Sequence, residues 1–129
     1  MTNYKTLVLG ATPNPTRYAY RATQMLQRNK IEVVPVGIRQ GTCAGIPIRN
    51  DRPKIADIHT VTLYLNPTVQ KEYYDYIIAL QPQRVIFNPG TENLEFYGLL
   101  QRQSPHTQIE VACTLVLLSI NDYKVSPTR

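Results

Sequence analysis

The sequence predicts an α/β domain of three layers, with helices on both faces of a five-stranded, mainly parallel sheet. Three observations predict it. Short apolar, β-branched runs alternate along the chain with segments whose apolar residues recur at helical spacing. The first run, Lys5–Gly10, is apolar through its middle and closes on a glycine, which suits a central strand buried on both faces. At 129 residues, with 43% apolar and 18% charged residues, the chain fits one compact domain over 1–129 and is too apolar to be disordered.

After the first strand, Arg17–Arg28 reads as a helix with Ala19, Ala22, Met25 and Leu26 on one face. Ile31–Val36 is β-branched and forms the second strand. The stretch from Gly37 to Asp57 holds Gly41, Gly45, Pro47 and Pro53 and reads as a long irregular loop, a kind that is often functional. Val61–Leu65 is the third strand. Asn66-Pro67 then starts a helix, as an N-cap followed by proline at the first helical position, with Val69, Tyr73, Tyr76, Ile77 and Leu80 facing inward. Arg84–Phe87 is the fourth strand, Glu92–Arg102 a helix, Ile109–Ala112 the fifth strand and Leu115–Ile120 a short last helix. A frayed tail, Lys124–Arg129, is expected to follow. With right-handed crossovers these elements fit a Rossmann-like sheet ordered 3-2-1-4-5. In that order the chain switches direction between strands one and four. Ligands bind at the carboxyl ends of strands flanking such a switch, which selects the loops Gly10–Arg17 and Asn88–Glu92.

The net charge of +5 is uneven: residues 1–54 carry nine basic side chains against Glu32 and Asp51, so this half is +7 and the rest −2. A basic half on a small protein implies an anionic partner. Nucleic acid is not indicated, because there is no run of like charges and no recognisable binding motif. No apolar stretch reaches the roughly 18 residues of a membrane span. The start, Met1–Lys5, lacks the features of a signal peptide, and Cys43 and Cys113 are too few for a disulfide framework. A cytoplasmic protein is expected.

The first loop, Gly10-Ala11-Thr12-Pro13-Asn14-Pro15-Thr16-Arg17, pairs a turn-forming glycine with short polar side chains and a helix N-terminus that attracts anions. Arg17 stands in the helix's first turn, where a cation is disfavoured, and Arg21 is its like-charge neighbour four residues on. A bound phosphate reverses the sign of both effects. The dinucleotide fingerprint is broken, with Thr12 and Pro15 where glycines are required, and no acid follows the second strand to hold an NAD ribose. Arg39 is placed instead to meet a ribose phosphate, such as NADP or coenzyme A carries. Asn88, Pro89 and Gly90 supply the opposite loop. His59 and His106 lack metal-ligand spacing, and no nucleophile–base pair, nucleophile elbow or phosphate-binding lysine loop is present. Cys113, before an apolar run, reads as a buried thiol, and Cys43, in the glycine-rich loop, as the more exposed one.

Four segments, K-T-L-V-L-G-A-T-P-N-P-T-R (5–17), V-V-P-V (33–36), V-I-F-N-P-G (85–90) and V-A-C-T (111–114), resemble in order and spacing the small stand-alone bacterial CoA-binding proteins. These are similar to the CoA-binding domain of the succinyl-CoA synthetase α subunit, and the resemblance spans Lys5 to Tyr123. It implies a CoA site in which Gly10, Ala11, Thr12 and Arg17 meet phosphates and Gly37 and Arg39 lie near the adenosine. By the same resemblance Asn66 and Pro67 border that part, Asn88, Pro89 and Gly90 close the far side, and Cys113 is near the reactive end. Asn14 and Arg21 join this set from the reading of the first loop. The chain departs from the pattern in having Val36-Gly37-Ile38 where V-N-P is usual and Tyr64-Leu65-Asn66 where V-F-R is frequent. Phe87 and Pro89 or their neighbours replace the usual tryptophan and glutamine of strand four. Non-catalytic binding of coenzyme A or an acyl-CoA is therefore expected, with a protein partner or homodimer as a further possibility. The alternatives are an NADP-type oxidoreductase or acyl-CoA ligase accessory component, and a degenerate domain that only contacts other proteins.

Overall fold

A computed structural model describes residues 3–124. The elements in chain order are β1 (Thr6–Leu9), α1 (Tyr18–Arg28), β2 (Val33–Val36), β3 (Thr42–Cys43), β4 (Ile46–Pro47) and β5 (Thr60–Leu63). There follow α2 (Pro67–Gln70), a 3-10 turn (Lys71–Tyr73), α3 (Tyr74–Leu80), β6 (Arg84–Phe87), α4 (Leu94–Gln103), β7 (Gln108–Val111) and α5 (Thr114–Ser119). The main sheet is five-stranded and parallel throughout, ordered β2-β1-β5-β6-β7. The three-layer, Rossmann-like α/β class is as the sequence predicts. The tail expected after Lys124 lies outside the described residues.

The strand order corrects the expected 3-2-1-4-5: counted along the chain, the five main strands run 2-1-3-4-5, so the third strand lies beside the first. Pro35 supplies the reason. Proline has no N–H, so a strand carrying it in its middle belongs at an edge. In β2 the carbonyl of Val36 faces β1 and accepts from Gly10 and Ala11, whereas the Pro35 carbonyl faces outward and accepts from the Arg49 amide at 2.9 Å. The missing N–H therefore lies on the side with no neighbouring main strand. The switch of direction falls between β1 and β5, not between the first and fourth strands.

Alternation along the strands sorts the core onto two faces. Leu7, Leu9, Val61, Leu63, Val85 and Phe87 pack against Tyr76 and Ile77 of α3 and Phe96 and Leu100 of α4. Val8 and Ile86 pack on the other face with Ala19 and Leu26 of α1 and Leu117 and Leu118 of α5. Right-handed crossovers leading in opposite directions across the sheet put α1 on one face and α3 and α4 on the other, and α5, which follows the last strand, folds back beside α1. The stretch from Gly37 to Asp57 is more ordered than expected. It contains the hairpin β3–β4, whose central residues Ala44 and Gly45 both have positive φ, as a type I′ turn requires. The hairpin turns Cys43 into the α1 face, fully buried with its thiol 3.4 Å from Thr23 Oγ1. Cys113 is only partly buried, so the expected exposures of the two cysteines are reversed.

At the amino end of the sheet, Arg84 is almost wholly buried. Its Nε donates to Thr60 Oγ1 at 3.0 Å, its Nη1 to the Tyr123 carbonyl at 3.0 Å, and the guanidinium lies 4.3 Å from the centre of the Tyr123 ring. His59 is buried beside it, bonded through Nδ1 to Thr60 Oγ1 at 2.7 Å with no partner for Nε2. Burial, aided by the charge of Arg84, pushes its pKa from 6.5 down to about 4. The unfolded chain takes up that proton first, so the contribution of neutral His59 is complete above pH 6.5 and is lost as pH falls toward 4. Urea denaturation between pH 7 and 4 should show a fall of about 3 kcal/mol from this group, and His59→Gln should flatten that slope. Equal slopes in the two proteins would contradict the assignment.

Candidate functional site

The loops at the carboxyl ends of β1, β2, β5 and β6 surround a cleft of about 420 Å³. Its floor is the end of β1. Gly10 has φ +99°, and a Cβ there would lie 3.0 Å from the Tyr64 carbonyl oxygen. Gly37 answers from β2, where a Cβ would lie 2.7 Å from the carbonyl oxygen of Ala11, closer than real contacts allow. The Gly37 position, where the resembling proteins usually have asparagine, is thus fixed by backbone contact. Both the Gly10 and Ala11 amides donate to Val36 O, so neither is open to an anion. Asn14 and Thr16 amides are also taken, by Thr12 Oγ1 and Asn14 Oδ1. The donors left in this loop are the Thr12 amide and the first turn of α1, whose N–H groups have no intrahelical carbonyl. Arg17 is the N-cap residue, one position before the first turn in which the sequence puts it, and makes no side-chain cap.

Arg39 stands on the β2 side of the cleft with Gly37 and the exposed Ile38. Asn50 holds this lip: its Nδ2 donates to the carbonyls of Gly37 and Arg39, both at 2.8 Å. The β5 side brings Tyr64, Leu65, Asn66, Val69 and Tyr73. Asn66 is occupied as the N-cap of α2, accepting from the Val69 amide at 3.0 Å, and Pro67 follows it at the first helical position, outside the lining. The Tyr64 hydroxyl is buried beside Thr62 and Thr114 without a well-formed hydrogen bond, and burial raises its pKa, so it stays neutral. The far side is Pro89, Gly90 and Thr91. Gln70, fully buried, ties the two sides together by donating to Leu65 O and Thr91 O, both at 2.8 Å. Glu92 lies before α4, with its carboxylate on the Gly90 amide at 2.8 Å.

Of the residues singled out from sequence, the cleft gathers Gly10, Ala11, Thr12, Arg17, Gly37, Arg39, Asn66, Pro89 and Gly90. Asn14, Arg21, Pro67, Asn88 and Cys113 do not line it. Asn88 is buried beneath it, with Nδ2 donating to Thr62 Oγ1 (2.7 Å) and Leu63 O (2.8 Å) and Oδ1 accepting from the Thr114 amide (2.9 Å). It binds β5, β6 and α5 into one block. Arg21 faces a different groove, beside α5. The sequence reading missed Tyr18, Ile38, Leu65, Val69 and Tyr73 in the lining, and Gln70 and Asn50 behind it. Ile38 and the Asn50 side chain sit in a stretch with no helix or strand periodicity, whereas Val69 and Tyr73 stand at core spacing on their helix, which hides their place in the lining.

No acidic side chain lines the cleft, and two arginines do. An anion is favoured there, and Leu65 and Val69 on the β5 side, with the exposed Ile38 on the β2 side, offer apolar surface to a flat ring or an alkyl chain. Among the described residues no three His, Cys, Asp or Glu side chains come together as a metal site, and no helix is long and apolar enough to cross a membrane.

A family model described as a CoA binding domain matches residues 4–119. The chain belongs to that family. A crystal structure of an uncharacterized protein is 46% identical and superposes with a TM-score of 0.89, covering 95% of this chain and 99% of its own. A hypothetical protein from Pyrococcus horikoshii, 23% identical, has a TM-score of 0.77 over 88% of this chain and 80% of its own. A protein from Thermus thermophilus, 21% identical, has a TM-score of 0.75 over 92% and 90% of the two chains. These last two share the fold. A search among curated proteins found no match. Family membership supports coenzyme A binding in general, and a cleft with two arginines and no acidic side chain suits an anion.

Gly37→Ala should lower stability by about 1–3 kcal/mol in denaturant melts, because its methyl group meets the Ala11 backbone, which is bonded to Val36, while Arg49 holds the Gly37 amide from the other side. Gly98→Ala, within α4 and facing only the flexible end of Arg102, should be neutral or stabilising by up to about 1 kcal/mol. Similar losses in both would remove the argument from close backbone approach.

Proposed function

We propose that the cleft binds coenzyme A or an acyl-CoA without performing chemistry on it. The observation that carries this reading is the convergence of Arg17 and Arg39 on a cleft free of carboxylates, at the switch point of a chain from the CoA binding domain family. The Thr12 amide, the first turn of α1 and Arg17 would hold the pyrophosphate, whose charge reverses the penalty of an arginine at a helix N-terminus. Arg39 would meet the phosphate on the ribose, and Ile38 with Gly37 would border the adenosine. Asn66 would flank it, and Pro89 and Gly90 would close the other side. When bound, CoA supplies a thiol that carries acyl groups as thioesters. Gln70, Asn50 and Asn88 would keep the surrounding loops in place rather than touch the ligand.

Calorimetry and thermal shift with CoA, acetyl-CoA, dephospho-CoA, NADP, NAD and ATP test this. At 100 times its dissociation constant a ligand adds about 2.7 kcal/mol, which raises the midpoint of a domain this size by roughly 10 °C. CoA should do so and NAD should not. Arg17→Ala should weaken CoA about tenfold or more, as loss of a charge-assisted hydrogen bond does. Arg39→Ala should weaken CoA by a similar factor while leaving dephospho-CoA, which lacks the ribose phosphate, nearly unchanged. A shift with NADP alone, or with none of the six, would overturn the proposal.

A further inference from the structure

A second concavity lies between α1 and α5, open to solvent and distinct from the cleft. Arg21, Met25 and Arg28 line it from α1, and Leu115 and Val116 from α5. Two features distinguish it from ordinary surface. The first is charge. Within α1, Arg21, Gln24 and Arg28 recur at spacings of three and four and so share one helix face. Neither α1 nor α5 contains an acidic residue, and no ion pair among the described residues involves Arg21 or Arg28. The second is a strip of apolar side chains beside these cations. Met25, Leu115 and Val116 lie in the groove, and Val116 is 51% exposed although Leu117 and Leu118 on the same helix are buried. Left alone, this face carries guanidinium groups that no carboxylate among the described residues pairs with, beside apolar side chains in water.

We infer that the α1–α5 face docks an acidic amphipathic helix of a partner protein. Its apolar side would rest on Met25, Leu115 and Val116, and its carboxylates would reach Arg21 and Arg28. Charge complementarity selects the partner: two uncompensated guanidinium groups beside an apolar strip match carboxylates beside an apolar stripe. Nucleic acid matches less well, since the apolar strip offers nothing to phosphates. Met25 adds an adaptable contact. The 11 residues of α1 extend about 16 Å, enough for two to three turns of a partner helix. The groove adjoins the cleft, because Arg21 lies 5.8 Å from the ring of Tyr18, which lines the cleft.

The test is fluorescence anisotropy with a labelled, end-capped peptide of about 14 residues built from Leu-Glu-Glu-Leu repeats, a length that spans the groove. The wild-type protein should bind it saturably in the micromolar range. Arg28→Glu should weaken it at least tenfold, and Val116→Asp about as much, while both variants keep their cooperative melts. A Lys-for-Glu peptide, an oligothymidylate and phosphatidylserine vesicles should each bind at least tenfold more weakly than the acidic peptide. Absence of peptide binding would overturn the inference. So would Val116→Asp binding as well as wild type, or nucleic acid or vesicles binding as tightly as the peptide, since each would make the face a plain basic patch.

Discussion

Proline has no N–H to offer a second neighbouring strand, so the strand that carries Pro35 pairs with a main strand on one side only, its outer side making a single bridge to Arg49. With β2 confined to the edge, the other side of β1 falls to β5, and from there the chain builds outward in the opposite direction. The connections leaving β1 and β5 then turn to opposite faces of the sheet, and the gap between them is the cleft. The outward carbonyl of Pro35 is not idle, because it accepts from the Arg49 amide and begins the segment from which Asn50 grips Gly37 and Arg39. One residue thus sets the strand order, the place of the crevice and the anchorage of its basic lip.

The walls of the crevice are held by buried amides rather than by ion pairs. Asn88 ties β5, β6 and α5, and Gln70 ties the loop after β5 to the loop after β6. Each such bond contributes about 1 kcal/mol net, but removing the side chain strands buried carbonyls at roughly 1–3 kcal/mol. This division leaves Arg17 and Arg39 exposed at the cleft mouth. They are not needed to hold the fold and remain available to an anion.

Much of the architecture was legible because it rests on periodicity. The five main strands and the helices around them appear within a few residues of their expected bounds, and Asn66-Pro67 opens α2 as its chemistry requires. The strand order departs from expectation although its signal is in the sequence: V-V-P-V reads as a β-branched run, and the proline inside it marks an edge that periodicity does not register. The helix expected from Pro67 through Leu80 is interrupted by a 3-10 turn with no proline or glycine to announce it. The interruption follows Gln70, whose side chain is drawn into the loops, a tertiary effect invisible locally. Cys43 reads as exposed from its glycine-rich neighbours, yet the tight turn at Ala44 and Gly45 folds it inward. Arg21 follows Arg17 on one helix face, but the packing of α5 alongside gives it a groove of its own.

The central claim is that an anionic CoA-type ligand sits where the chain reverses at β1 and β5. Amide chemical-shift mapping during a CoA titration tests it most directly. The account predicts the largest shifts at Thr12, Tyr18, Ala19, Gly37–Arg39, Leu65, Asn66, Gly90 and Thr91, with little change on β7. Shifts concentrated on α5 or the β7 edge, or none at saturating CoA, would contradict it.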